Sequence, residues 1–296
     1  MLDSFSSPDE SIALDASRLP WLVDRYLASL RGRVAVETCK KYRQKINHFL
    51  RWSAAYTELV QSDMADFADY LAKSKLKITT QADVIGRVAQ LFTWAHRRNI
   101  AAFDYSTWLP LIRAPKPLFS PVSLADVAAL LHGCLSSRYA LRNQCMIAVM
   151  AGAGLRLEET VALNVCDVSF DGELGSIRVH SGKNSKSRTV IFVARYAAYV
   201  RTWIETNPDG PLFTSQKGER LKAGSAHNEF KRIAREVGLD VSCHSMRRHF
   251  ASQWVIDNPG RLVELQIQLG HADLSMTAKY VSLSGDHVKS LLRNKT

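Results

Sequence analysis

Two arginines, two histidines and a tyrosine occur in an order that suits chemistry at a phosphodiester. They are Arg156 in Gly154-Leu155-Arg156, His244 and Arg247 in His244-Ser245-Met246-Arg247, His271 in Leu269-Gly270-His271, and Tyr280 nine positions further on. A phosphodiester carries its charge on two nonbridging oxygens. In-line attack at phosphorus needs that charge neutralised, a nucleophile aimed and the leaving oxygen protonated. Arginine suits the first task because its planar fork reaches both oxygens and stays charged when desolvated, so Arg156 and Arg247 are the candidates. A tyrosine phenol, with a pKa of about 10, needs a neighbouring base or a cationic pocket to become a nucleophile, and His244, Arg247 and His271 could supply these to Tyr280. Lys183, in a basic stretch, could deliver a proton to the departing oxygen, while Lys186, Arg188 and Arg248 read as phosphate anchors. No tight Asp/Glu cluster accompanies this set, so no metal and no cofactor is expected, and a two-metal nuclease is disfavoured.

Helical and strand periodicities indicate what must position these residues. Apolar spacing predicts helices over residues 21–30, 37–52, 63–71 (with Ser62 as N-cap) and 80–98. The second of these sets an apolar stripe against a basic side that includes Lys40, Lys41 and Arg43, the expected DNA contacts of this region. Pro115, Pro117 and Pro121 then mark an extended linker. Ser123 with Asp126 predicts a capped helix start, followed by helices over 142–150 and 157–163. Two β-branched runs, 176–180 and 189–193, read as an antiparallel hairpin whose turn, 182–188, carries Lys183, Lys186 and Arg188. Further helices are expected over 194–205, 226–237, 246–256, 261–269 and 286–292. The expected fold is mainly α with a small antiparallel β element (α+β): an N-terminal helical domain (1–112), a Pro-rich linker (113–122) and a C-terminal domain (123–296).

Composition fits this division. The chain has 296 residues, 46% hydrophobic and 23% charged, enough for two globular domains. A formal net charge of +11, shared by both halves, points to a polyanionic partner. The five cysteines are scattered with no Cys-x-x-Cys pair, which argues against a disulfide framework or a zinc site and for a reducing compartment. The acidic N-terminus and the lack of any long apolar run predict a cytoplasmic, nucleoid-associated protein without a membrane partner.

The ordered set Gly154-Leu155-Arg156-x-x-Glu159, Gly182-Lys183-x-x-Lys186-x-Arg188, His244-x-x-Arg247, Leu269-Gly270-His271 and Tyr280 resembles the tyrosine recombinase (phage integrase) family, and the first domain resembles that family's core-binding domain. The resemblance implies that Arg156, Lys183, His244, Arg247 and His271 activate the scissile phosphate and that Glu159 buttresses Arg156. Tyr280 would then form a 3′-phosphotyrosyl link. It also implies paired double-stranded DNA sites held by a homotetramer, or by a heterotetramer with a related recombinase, exchanging strands through a four-way junction. The compact plan is like that of dimer- or multimer-resolving enzymes or a transposon-borne relative. Three positions depart from the usual pattern: Arg248 directly follows the second arginine, Asn184 follows Lys183, and Met276 stands where Thr is frequent. Two alternatives remain at this level: a type IB topoisomerase-like enzyme that only relaxes DNA, and a non-catalytic DNA-binding accessory factor. The segment from Asp286 to Lys295 is either an arm docking on a neighbouring protomer or a helix packed on its own domain.

Overall fold

A computed structural model describes residues 13–114, 122–180, 187–271, 273–278 and 280. Lys183, Lys186, the three linker prolines and the segment after Tyr280 lie outside the described residues. The chain separates into two compact units, Met1–Pro117 and Leu118–Thr296.

The first unit is built on four helices, α1 (Leu19–Ser29), α2 (Val36–Ser53), α3 (Asp63–Ala72) and α4 (Ile78–Arg97). Two short strands, β1 (Leu14–Asp15) and β2 (Glu58–Leu59), pair antiparallel beside them and were not anticipated. The apolar stripes converge on an aromatic centre where the Phe49 ring meets Phe67 edge-on at 5.0 Å and Phe92 at 5.6 Å. Ser62 makes no side-chain cap on α3; the Asp63 carboxylate instead accepts from the Val60 N–H at 2.7 Å. The basic side of α2 is partly neutralised, since Arg43 pairs with Asp24 and Lys45 with Asp83 at 3.2 Å.

The second unit wraps around α6 (Ala140–Ala153), whose last nine residues, 145–153, are all buried. A helix apolar on every side can only be a core helix. α5 (Leu124–Gly133) precedes it and opens with the expected capping box: Ser123 Oγ accepts from the Asp126 N–H at 3.0 Å and the Asp126 carboxylate from the Ser123 N–H at 2.8 Å. After α7 (Leu157–Ala162) come three antiparallel strands in order, β3 (Val168–Asp171), β4 (Leu174–Val179) and β5 (Arg188–Phe192). The expected hairpin is therefore the outer part of a meander. β3 was missed although Asp171-Gly172, with Gly172 at φ +57°, is a turn signal. α8 (Ala197–Thr206) and α9 (Ala223–Glu236) complete the core. α10 (Cys243–Asp257), α11 (Leu262–Leu269) and the unanticipated α12 (Leu274–Ala278) carry the C-terminal motifs.

α6 and α11 both end on a left-handed glycine, Gly154 at φ +67° and Gly270 at φ +65°. A Cβ at Gly154 would fall 2.5 Å from Phe250 Cδ1 and 2.9 Å from Leu269 Cδ2. Gly154→Ala is expected to lose about 1–2 kcal/mol from the left-handed backbone alone, with the clash in addition. Urea unfolding of the full chain should show a lower midpoint with an unchanged m-value.

Candidate active site

The end of α6 and the start of α7 place Arg156, while α10 places Arg247. Among the described residues Arg247 is the largest fully buried side chain, 1% exposed. Its Nη1 donates to the Gly154 carbonyl and its Nη2 to the Leu269 carbonyl, each at 2.7 Å. Both carbonyls lie at helix C-terminal ends, where oxygens lack intrahelical partners and carry the negative end of the helix dipole. The glycine caps free these oxygens for the guanidinium. Burial and the nearby Arg156 lower the Arg247 pKa to about 10, which leaves it charged at neutral pH.

Glu159 joins the arginines. Its Oε1 accepts from Arg156 Nη1 at 3.1 Å and Arg188 Nη1 at 3.0 Å. Its Oε2 accepts from Arg188 Nη2 at 3.1 Å and from the Arg156 backbone N–H at 2.8 Å, and lies 3.9 Å from Arg247 Nη1. Burial works against ionisation of Glu159, but the hydrogen bonds from Arg188 and Arg156 and the surrounding positive charge outweigh it and hold the carboxyl below its usual range. Three guanidiniums around one carboxylate leave a surplus positive charge for an anion. Arg156, with its side chain 40% exposed, gives Glu159 one guanidinium nitrogen, and among the described residues the others have no side-chain partner.

His244 sits in the first turn of α10 and His271 directly after Gly270. His271 Nδ1 shares a 2.9 Å bond with Thr277 Oγ1, and among the described residues Nε2 has no hydrogen-bond partner. Thr277, fully buried on α12, accepts the Tyr280 N–H on its carbonyl at 3.0 Å, so one residue ties the imidazole to the tyrosine segment. Tyr280, 9% exposed, packs with Phe250, Val255, Leu265 and Leu269, and its phenol is close enough to Arg247 to interact with it electrostatically. Burial, then Arg247, Arg156, His244 and Arg188, pushes the His271 pKa down to about 4. His244 is exposed at its outer edge, yet the protein around it, followed by Arg248, Arg247 and Arg156, also lowers its pKa. Both imidazoles are therefore neutral at pH 7 and able to take a proton.

Comparisons with known proteins place this geometry. The Phage integrase family profile matches residues 122–287, and the family's N-terminal SAM-like domain matches residues 23–99. The chain belongs to the phage integrase family. It is thus a tyrosine recombinase, an enzyme that breaks and rejoins DNA. It is similar to proteins named tyrosine recombinase XerC from Escherichia coli O6:K15:H31 (27% identical) and Shigella flexneri (28%), over 91% of this chain and 94% of each relative. Among solved structures, XerH site-specific recombinase bound to a palindromic difH substrate superposes with a TM-score of 0.69 at 19% identity, covering 94% of this chain and 84% of that one. A lambda integrase dimer bound to a COC′ core site gives 0.72 at 16% identity, covering 88% and 76%. Neither the DNA-relaxing nor the non-catalytic alternative is favoured by these matches.

In this recombinase the fold gathers Arg156, Glu159, Arg188, His244, Arg247 and His271 together with Tyr280, while Lys40, Lys41 and Arg43 lie exposed on α2 of the other unit. Arg188 corrects the sequence reading: it opens β5 instead of lying in the turn, and its side chain, 16% exposed, is engaged by Glu159. Arg248 is half-buried on α10 beside His244. Sequence reasoning missed Thr277 as the partner of His271. It also missed Gln268, whose amide accepts the Ile191 N–H at 3.2 Å and donates to the Ile191 carbonyl. Among the described residues no group of three or more His, Cys, Asp or Glu could hold a metal ion, and no helix is long and apolar enough to cross a membrane.

The depressed imidazoles set a pH dependence. The unfolded chain takes up a proton at His271 near pH 6.5, whereas the folded recombinase refuses it down to about 4, so stability falls as pH drops through that window. His244 and His249, also lowered, act in the same direction. Thermal melts of the wild type from pH 7 to pH 4 should show a falling Tm, and His271→Gln should flatten that slope.

Proposed function

We propose that this recombinase cleaves DNA through Tyr280, with Arg156 and Arg247 holding the nonbridging oxygens of the scissile phosphate. The observation that carries this reading is the meeting of a tyrosine, two neutral imidazoles and the arginines around Glu159 at one place in the second unit. The phenol loses its proton to a neutral imidazole, His271 or His244, as its oxygen bonds to phosphorus. The bond from phosphorus to the 5′ oxygen breaks, and that oxygen takes a proton from Lys183. A 3′-phosphotyrosyl ester remains, which a 5′ hydroxyl can attack in reverse, so the strand is resealed without ATP. Entry of the phosphate brings a negative charge beside His271 and raises its affinity for the proton it must accept. Glu159 holds Arg156 in place and does not react.

The substrate is double-stranded DNA carrying paired sites. The first unit contributes Lys40, Lys41 and Arg43 to the backbone, and Lys186 and Arg248 add phosphate contacts. Each protomer has one nucleophile at this site, so exchange of both strands between two duplexes calls for four protomers, alike or with a related recombinase, and a four-way junction. The XerH complex with a palindromic difH substrate supports a site made of inverted half-sites. Such DNA places the enzyme at the nucleoid, in the cytoplasm.

A nicked suicide duplex carrying the recombination site tests the nucleophile. The wild type should accumulate a covalent complex, with Tyr280 as the residue left on the DNA. Tyr280→Phe should abolish it while binding to intact DNA stays nearly unchanged. Undiminished cleavage by that variant would refute the assignment. Arg156→Gln should slow covalent complex formation at saturating DNA by about 100-fold, the usual loss when one donor to developing charge is removed. Chelators should leave cleavage intact, because the guanidiniums supply the charge.

A further inference from the structure

Arg188 belongs to a basic stretch that reads as a set of phosphate anchors, but its surroundings give it different work. Its two terminal nitrogens donate in parallel to the two oxygens of Glu159 at 3.0 and 3.1 Å, and its Nε donates to the Gln268 carbonyl at 3.2 Å. A Cβ built on Gly270 would lie 3.0 Å from its Cζ and Nη1 and 3.1 Å from its Nε, so the guanidinium rests against the glycine backbone just before His271. Three residues along the same strand, Ile191 exchanges two hydrogen bonds with the Gln268 side chain. α11 is thereby fastened to β5 at two points, and the first of them also holds Glu159.

We propose that Arg188 is a positioning residue for strand cleavage: it fixes the distance between Arg156, which it reaches through Glu159, and His271, which it reaches through Gln268 and Gly270. The lock uses three of the five guanidinium N–H groups, Nε and one on each terminal nitrogen, and so directs the fork at Glu159 and Gln268. Lysine would keep the charge but not the parallel pair of bonds, so charge and geometry can be separated experimentally. The proposal rests on the cleavage reading above.

Arg188→Lys in the full chain provides the test, with three readouts. Covalent complex formation on the nicked duplex at saturating DNA should fall about 100-fold, as expected when a reacting group is misplaced by about 1 Å. The dissociation constant for intact DNA, and its slope against salt, should match the wild type. The His271 imidazole NMR signal of the DNA-free protein, assigned by its loss in His271→Gln, should shift. If the salt slope instead drops by about one, with wild-type cleavage at saturation and an unmoved His271 signal, Arg188 is a phosphate anchor and the proposal falls. If the His271 signal shifts but the wild type leaves no link to Tyr280, the cleavage reading fails and the structural lock stands.

Discussion

The buried guanidinium of Arg247 is the contact on which the rest of the site depends. Removing an arginine from water is expensive, and here two helix-end carbonyls and a carboxylate 3.9 Å away offset that cost. Those carbonyls are available because Gly154 and Gly270 turn the chain sharply at the ends of α6 and α11. One side chain therefore fixes the core helix, the helix preceding His271 and, through Glu159, the arginine at the start of α7. The hydrophobic core around α6 gives these ends a rigid base.

The same concentration of positive charge sets the proton chemistry. Burial, with the positive charge of the surrounding arginines, depresses both imidazoles, so both are neutral near pH 7. Thr277 has a mechanical part in this arrangement, bonding His271 through its hydroxyl and Tyr280 through its carbonyl, so the imidazole and the phenol are carried on one short stretch of chain.

Much of this organisation is legible in the sequence where local physics governs it. The Ser123/Asp126 cap, the apolar periods of α1 to α4 and the apolar run 145–153 of α6 depend on neighbours within a few residues, and the structure reproduces them with ends shifted by a few residues. The short strands β1 and β2 depend on pairing across more than forty residues, which no local pattern reveals. Arg188 is instructive for the same reason: among Lys183 and Lys186 it has the composition of a solvated turn, but its partner Glu159 is 29 positions away.

The sequence by itself determined the residue types of the site, their order, the family and the helical character of both units, because side-chain chemistry and helical period are properties of the local chain. Only the tertiary structure decided that Glu159 is shared among arginines, that Arg247 is buried between two helix ends, and that the threonine serving His271 is Thr277. These are long-range contacts, chosen by the packing of elements far apart in the chain.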